Sequence, residues 1–292
     1  MSYLYLILSV LSLAASGIFA GYFTRKTSDK KDAAALGGFI ELLTVFALWT
    51  IMFCADFSFD AAVLPYSVLF AVFFATGMLG RIFAFKYGSF MLASLAIQVS
   101  GVVACVWDII VRDAPFSLII AIGLVLVLIS LCLCFLNGKK EKKTNKKNFI
   151  KWAIFCAAAC TGNIVCTIAQ REQQLNFNGQ HKSMLMFFAT FIAAILGFVL
   201  YMTSDKSDSK AILKSGAHFS VLSGGLNVAV NFSVMMLATA LPLLPTSFIY
   251  PANAVCSLII TTVFSAVAFK EKLRWWQWIG VAIGILAVGM LS

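Results

Sequence analysis

Ten long apolar runs constrain this chain more than any other feature. They span approximately residues 3–23, 35–53, 63–82, 88–109, 116–136, 149–170, 183–203, 217–238, 245–268 and 275–291. Each is near the 20 or so residues that a helix needs to cross a bilayer. The runs are continuous rather than alternating, which excludes the strands of a membrane barrel. In lipid the backbone must satisfy its own hydrogen bonds, so each run is expected to be a helix. The expected fold class is an all-α polytopic membrane protein with ten transmembrane helices. Composition agrees: 61% of the residues are hydrophobic and 12% charged, against about 45–50% and 25% in soluble domains. An ordinary soluble enzyme and a disordered chain are both excluded. Ten spans use most of the 292 residues and leave no room for a separate soluble domain.

The basic residues predict the topology. No Lys or Arg precedes the first run, and Arg25, Lys26, Lys30 and Lys31 follow it. A signal peptide has the reverse order, so the first run is expected to stay as a span. If the spans alternate, Arg112, Arg171 and Lys182 fall on one side and the other 19 of the 22 basic residues on the opposite side. Lys and Arg gather in cytoplasmic loops. Both termini are therefore expected outside, in a multi-pass protein of the cell membrane, of the bacterial plasma-membrane type. The net charge of +10 is read as this bias and not as a nucleic-acid surface. The Lys-rich stretch 137–148 is expected to be a solvated cytoplasmic loop.

Catalytic constellations are missing from the sequence. The eight cysteines lie in or beside apolar runs, where a thiol behaves as a small hydrophobe, and none has the paired spacing of a zinc site. The two histidines, His181 and His218, stand at span edges. Ser223-Gly224-Gly225 lacks the Lys-Ser/Thr of a phosphate loop. No metal, no cofactor and no ATP-driven step is expected.

The Lys-rich stretch divides the chain into residues 1–138 and 149–292, with 139–148 as linker, and the halves resemble each other. Ala14-Ala15-Ser16-Gly17 in the first run corresponds to Ala159-Cys160-Thr161-Gly162 in the sixth. At a constant offset Ser89-Phe90 corresponds to Ser247-Phe248, Ala96 to Ala254 and Arg112-Asp113 to Lys270-Glu271. An odd number of spans per half makes the second copy enter the membrane the other way round, an inverted repeat of the kind found in secondary transporters. The chain also carries Phe269-Lys270-Glu271-Lys272-Leu273, followed by Trp276-Gln277-Trp278-Ile279-Gly280-Val281-Ala282-Ile283-Gly284. With the five-plus-five layout, this acidic turn, Gln and Ile-Gly pattern resembles the EamA-like ten-span group of the drug/metabolite transporter superfamily. The first half departs from it, with Arg112-Asp113-Ala114-Pro115 in place of the fuller turn. The resemblance implies a solute carrier for metabolites, amino acids, amines or drugs, often exchanging protons.

Charge inside a bilayer costs about 2.5–3.5 kcal/mol on insertion scales, which makes intramembrane acids functional candidates. Glu41 lies roughly 8–9 Å into the second run at 1.5 Å per residue and is the first proton-coupling candidate; the alternative is an interfacial acid. Asp108, closing the fourth run, is the second. Uncharged polar residues form stripes at helical spacing: Ser223, Asn227 and Asn231 in the eighth run, and Tyr250, Asn253, Ser257 and Thr261 in the ninth beside Pro251. Ser94 and Gln98 pair in the fourth run, and Asn163, Thr167 and Gln170 in the sixth. Buried amides need partners or water, so the stripes are expected to line one cavity, with Asn227, Asn231, Tyr250, Asn253, Ser94, Gln98 and Asn163 as substrate-binding candidates. The alternative is hydrogen-bond glue between helices. Gly17/Gly21 and Gly280/Gly284 are read as packing motifs, the second also as a candidate dimer face.

The expected function is secondary active transport of a small polar metabolite by alternating access, with proton coupling as the candidate drive. No Lys or Arg falls near a span centre, so a neutral, zwitterionic or cationic solute is favoured. Besides the substrate, protons and the bilayer are the expected partners, nucleic acid is excluded, and the chain is a monomer or a homodimer. The competing reading is a membrane-embedded structural subunit or a lipid-acting enzyme without a recognisable catalytic cluster.

Overall fold

A computed structural model describes residues 2–88, 90–112, 116–135, 146–239, 246–268 and 274–291. The described residues form ten α-helices: α1 Ser2–Lys26, α2 Ala33–Ala55, α3 Leu64–Tyr87, α4 Phe90–Val111, α5 Leu118–Phe135, α6 Lys146–Asn176, α7 Lys182–Met202, α8 Ser209–Thr239, α9 Thr246–Ala268 and α10 Trp275–Leu291. Seven of them are long and apolar enough to cross a membrane, and α4, α5 and α10 contain shorter apolar stretches. Large apolar side chains stand exposed along their outer faces, among them Leu4, Ile7, Leu11, Val125, Ile195 and Leu286. A soluble monomer does not carry so much exposed apolar surface; this is the make-up of a polytopic membrane protein.

Two helices are longer than hydropathy predicts. α6 continues past residue 170 to Asn176, because Gln170-Arg171-Glu172-Gln173-Gln174 are good helix formers and several find partners inside the protein. It stops where Asn178 and Gly179 take positive φ and the Gly179 N–H closes onto the Gln174 carbonyl at 2.8 Å. α8 begins at Ser209, well before residue 217, because Ile212 packs into a cluster with Phe23, Ala33 and Ile82. Arg171, Lys210 and Lys214 are therefore helical residues and not loop residues. The linker 139–148 and the acidic turn 269–273 are matters for residues largely outside the described ones; α6 already begins at Lys146. Of the quoted repeat, Ser89 and Asp113 also lie outside them.

α1 lies on α8 and α9, α3 on α6 and α7, α2 on α7 and α8, α4 on α6 and α9, and α5 on α10. Between apolar helices in lipid, close packing and hydrogen bonds supply the attraction. The α3–α6 crossing shows the first: a Cβ on Gly162 would stand 2.6 Å from the Gly77 Cα and from the Phe73 carbonyl, so only glycine permits the approach. Gly284 is used in the same way inside the chain. A Cβ there would meet Ser130 Oγ at 2.7 Å and Val255 at 2.8 Å, and Ser130 Oγ donates to the Gly280 carbonyl at 2.6 Å. The Gly280/Gly284 face is thus occupied by α5 and α9, and the expectation of a dimer face there is corrected.

The loops identify two ends. At one end the turns 27–32 and 203–208 are joined: the Lys31 N–H donates to Asp208 Oδ2 at 2.9 Å and the Asp205 N–H to Asp32 Oδ2 at 2.6 Å. Lysines here sit over aromatic rings, Lys151 over Tyr87 and Lys206 over Tyr201, with amphipathic rings of the kind that anchor at a membrane interface. This is the basic end. At the other, His181 Nδ1 meets Ser58 Oγ at 3.0 Å, the Asp60 N–H donates to Met184 Sδ, and Arg112 pairs with Glu172.

Candidate functional site

A cavity of about 150 Å³ lies between the two halves of the chain. By volume it holds roughly ten waters or one small solute. All seven substrate-binding candidates line it. α4 contributes Ser94 and Gln98, α6 contributes Asn163, α8 contributes Asn227 and Asn231, and α9 contributes Tyr250 and Asn253. Four helices that are remote in sequence therefore turn their polar stripes toward one space, and α1 and α3 complete the wall with Gly17, Gly77 and Arg81.

The polar lining is partly bonded to itself. Gln170 Nε2 donates to Asn231 Oδ1 at 2.7 Å, and Asn231 Nδ2 donates to Asn227 Oδ1 at 2.7 Å and to the Asn227 carbonyl at 2.9 Å. Gln98 Nε2 donates to Ser257 Oγ at 2.9 Å, joining α4 to α9. These bonds are interhelical glue and cavity wall at once, so the two sequence readings are not exclusive. Asn253 differs: its Oδ1 is buried and has no hydrogen-bond partner among the described residues. Ser223 leaves the lining and turns the other way, into a charged cluster.

That cluster is built around Glu41. Its side chain is 1% exposed, and it is not an interfacial acid. The Arg81 guanidinium of α3 pairs with Glu41 Oε1, and Ser223 Oγ donates to the same oxygen at 2.5 Å. Arg81 Nη1 reaches Ser16 Oγ at 3.3 Å, and Ser16 and Ser223 contact each other at 3.1 Å. The cluster adjoins the cavity through Arg81. Arg81 is both the counter-ion of Glu41 and part of the cavity wall. The inference that no basic side chain is available to meet an anion is corrected: Arg81 stands near the inner end of α3, yet its side chain is 11% exposed and lines the cavity.

Asp108 has a parallel fate at the other end. Its side chain is 1% exposed and contacts Arg171 Nε at 2.5 Å, so it too is interior. Asp108 does not line the cavity. Both Arg81 and Arg171 were legible only as basic residues at the edge of apolar runs. A signal did exist: an acid held in an apolar interior needs a counter-charge, and each acid had a basic residue at the same end of a neighbouring apolar run.

Among the described residues no group of three or more His, Cys, Asp or Glu is placed to hold a metal ion. The arrangement offers a polar solute hydrogen-bonding side chains and one guanidinium.

No family model matches the sequence, and no curated protein matches it. One solved structure, described only as "Crystal structure of protein", is similar over 97% of this chain and 96% of its own, with a TM-score of 0.66 and 10% identity. At that identity the likeness concerns the fold alone. This helix arrangement is one that another protein also adopts.

Proposed function

We propose that this chain is a secondary transporter of the drug/metabolite type, which carries a small polar solute through the cavity between its halves. The observation that carries the reading is the convergence of separate polar stripes from α4, α6, α8 and α9 on one cavity, with Arg81 of a buried ion pair in its wall. Structural glue alone leaves no cavity to line. A transporter needs a polar site near mid-membrane and a means of opening it to each side in turn.

The helix pairing supports ten spans as two inverted five-helix repeats. Exchange of each helix with its counterpart five places on turns α1–α8 into α6–α3, and both pairs occur. The same exchange returns α2–α7, α4–α9 and α5–α10 to themselves, and these also occur. A pseudo-two-fold relation between the halves generates this pattern. Alternating access then rocks one half against the other around the cavity. We place the protein in a cell membrane with the basic end cytoplasmic and both termini outside.

Counterflow in proteoliposomes tests the function. Liposomes loaded with one member of a metabolite library should take up the labelled form of the same compound, and empty liposomes should not. Failure across small polar solutes of every charge class rejects the reading. For orientation, a fluorescent reporter active only in the cytoplasm and fused after Ser292 should stay dark; bright cells reverse the assignment.

A further inference from the structure

Arg81 contributes the only guanidinium to the cavity wall among the described residues, and one of its donors is unpartnered among them. Its Nη2 is engaged by Glu41 and lies 3.4 Å from Ser223 Oγ, and its Nη1 lies 3.3 Å from Ser16 Oγ. Its Nε is buried and has no hydrogen-bond partner among the described residues. Nε–H and one Nη2–H of a guanidinium point the same way, at the spacing of two carboxylate oxygens. Here half of that edge is free and the other half is held by Glu41.

We propose that this edge receives the carboxylate of a small substrate when Glu41 accepts a proton, so that one carboxylate and one proton travel together. The proposal rests on the transporter reading and names its substrate class. In the empty site the Arg81 cation is balanced by the Glu41 anion. Protonation forms an O–H bond on Glu41 and releases Nη2. The substrate carboxylate then takes both Nε and Nη2, and the site keeps its net charge. On release the proton leaves Glu41, which pairs with Arg81 again. No bond within the substrate forms or breaks.

The remaining lining narrows the class. Asn253 Oδ1 offers a second unmatched atom in the same cavity, an acceptor that suits a hydroxyl donor. No Asp or Glu lines the cavity among the described residues, so an ammonium group has no counter-ion there. The chemistry fits a small hydroxy acid better than an amine or an amino acid, and the cavity of about 150 Å³ holds one small solute.

The surroundings leave Glu41 a single charged neighbour. Arg81 comes from α3, while α1 and α8 offer Ser16 and Ser223. The other charged residues of these helices, Arg25, Lys26, Lys86, Lys210 and Lys214, are exposed, as are His218 and Tyr3, whereas Tyr5, Tyr22, Tyr66 and Tyr87 are half-buried. α7 carries Lys182, at the opposite end, and Tyr201, which stacks on Phe39.

The test uses the full chain, purified in detergent and then in liposomes, with lactate, its amide lactamide, and ethanolamine as probes. Lactate should raise the melting temperature, and lactamide and ethanolamine should not. The lactate Kd should rise as pH rises, because one proton is bound with each anion. Glu41→Gln imitates the protonated state. It should bind lactate with a Kd that changes less than about twofold across the same pH values, and it should exchange lactate but not accumulate it. Arg81→Lys keeps the charge without the paired edge and should weaken lactate about tenfold or more. Lactate uptake in liposomes should acidify the lumen and carry no current. Equal binding of lactate and lactamide, an uptake current, or unchanged pH dependence in Glu41→Gln overturns the proposal. Transport of lactamide or ethanolamine, or of another library solute while lactate is ignored, also overturns it but leaves the transporter reading standing.

Discussion

The protein buries two carboxylate–guanidinium pairs, and they differ in everything except their chemistry. Glu41–Arg81 lies toward the basic end, where two serines bond to it and Arg81 also lines the cavity. Asp108–Arg171 lies toward the other end, apart from the cavity. Asp108 Oδ1 and Arg171 Nη1 are buried without a hydrogen-bond partner among the described residues. A buried pair repays its desolvation only when the remaining donors and acceptors are also satisfied. The first pair has alternative partners and can exchange them. The second has none on offer, and each member is committed to the other.

The largest expected effect comes from breaking the committed pair. Arg171→Met leaves Asp108 buried without a counter-charge and should cost about 3–5 kcal/mol of stability. Adding Asp108→Leu to it should restore most of the loss, because removing both charges is often neutral. Thermal and denaturant unfolding in detergent measure this. If Arg171→Met unfolds no earlier than Arg112→Met, whose pair is partly exposed, the distinction fails.

Glu41→Gln should be milder for stability, about 1–2 kcal/mol, since the amide oxygen still accepts from Ser223 and Arg81. Glu41→Leu removes the acceptor as well and should be clearly worse than Glu41→Gln. Equal losses in the two variants would mean that the serines contribute nothing and that both ion pairs are alike.

Asn231→Leu and Asn253→Leu sharpen the comparison within the cavity. Asn231 bonds to both Gln170 and Asn227, so its loss should lower stability by about 1 kcal/mol, from bonds averaging about 0.6 kcal/mol each in membranes. Asn253 Oδ1 has no partner to lose. Asn253→Leu should leave the unfolding midpoint unchanged and still abolish transport. Transport at unchanged apparent affinity would remove Asn253 from the site.

The smallest effect is expected at the loops of the basic end. The Ser207 N–H and the Lys31 ammonium hold the Asp205 carboxyl below its ordinary value of 3.8. Its contribution is complete above that value and is lost as pH falls through the lower folded-state value. The group is fully exposed, so Asp205→Asn should leave the melting temperature at pH 7 within error and reduce only the change seen on acidification below about pH 4.

Helix existence was legible from hydropathy, and so was the polar character of the lining. Asn227 and Asn231 share a face because they are four residues apart, and no tertiary fact can alter that. Glu41 stood out because a lone acid in an apolar run has few explanations. What could not be read was the fate of Arg81 and Arg171. Both lie near the ends of their runs, where a snorkelling loop residue and a buried counter-ion have the same local sequence. The ends of α6 and α8 were misjudged for a related reason: hydropathy measures contact with lipid, and these helices continue where the partner is protein.

The sequence by itself determined the apolar helices, the basic end and the polar stripes. Each of these depends on residue type and on spacing along one helix, and both are local. Only the tertiary structure decided that α3 lies on α6 and α1 on α8, and so which stripes face each other and which arginine meets which acid. Glu41 and Arg81 are 40 residues apart. Their pairing depends on how two helices are rotated about their axes, and that rotation is set by close contacts such as Gly77 against Gly162, a property of surfaces that meet rather than of either segment alone.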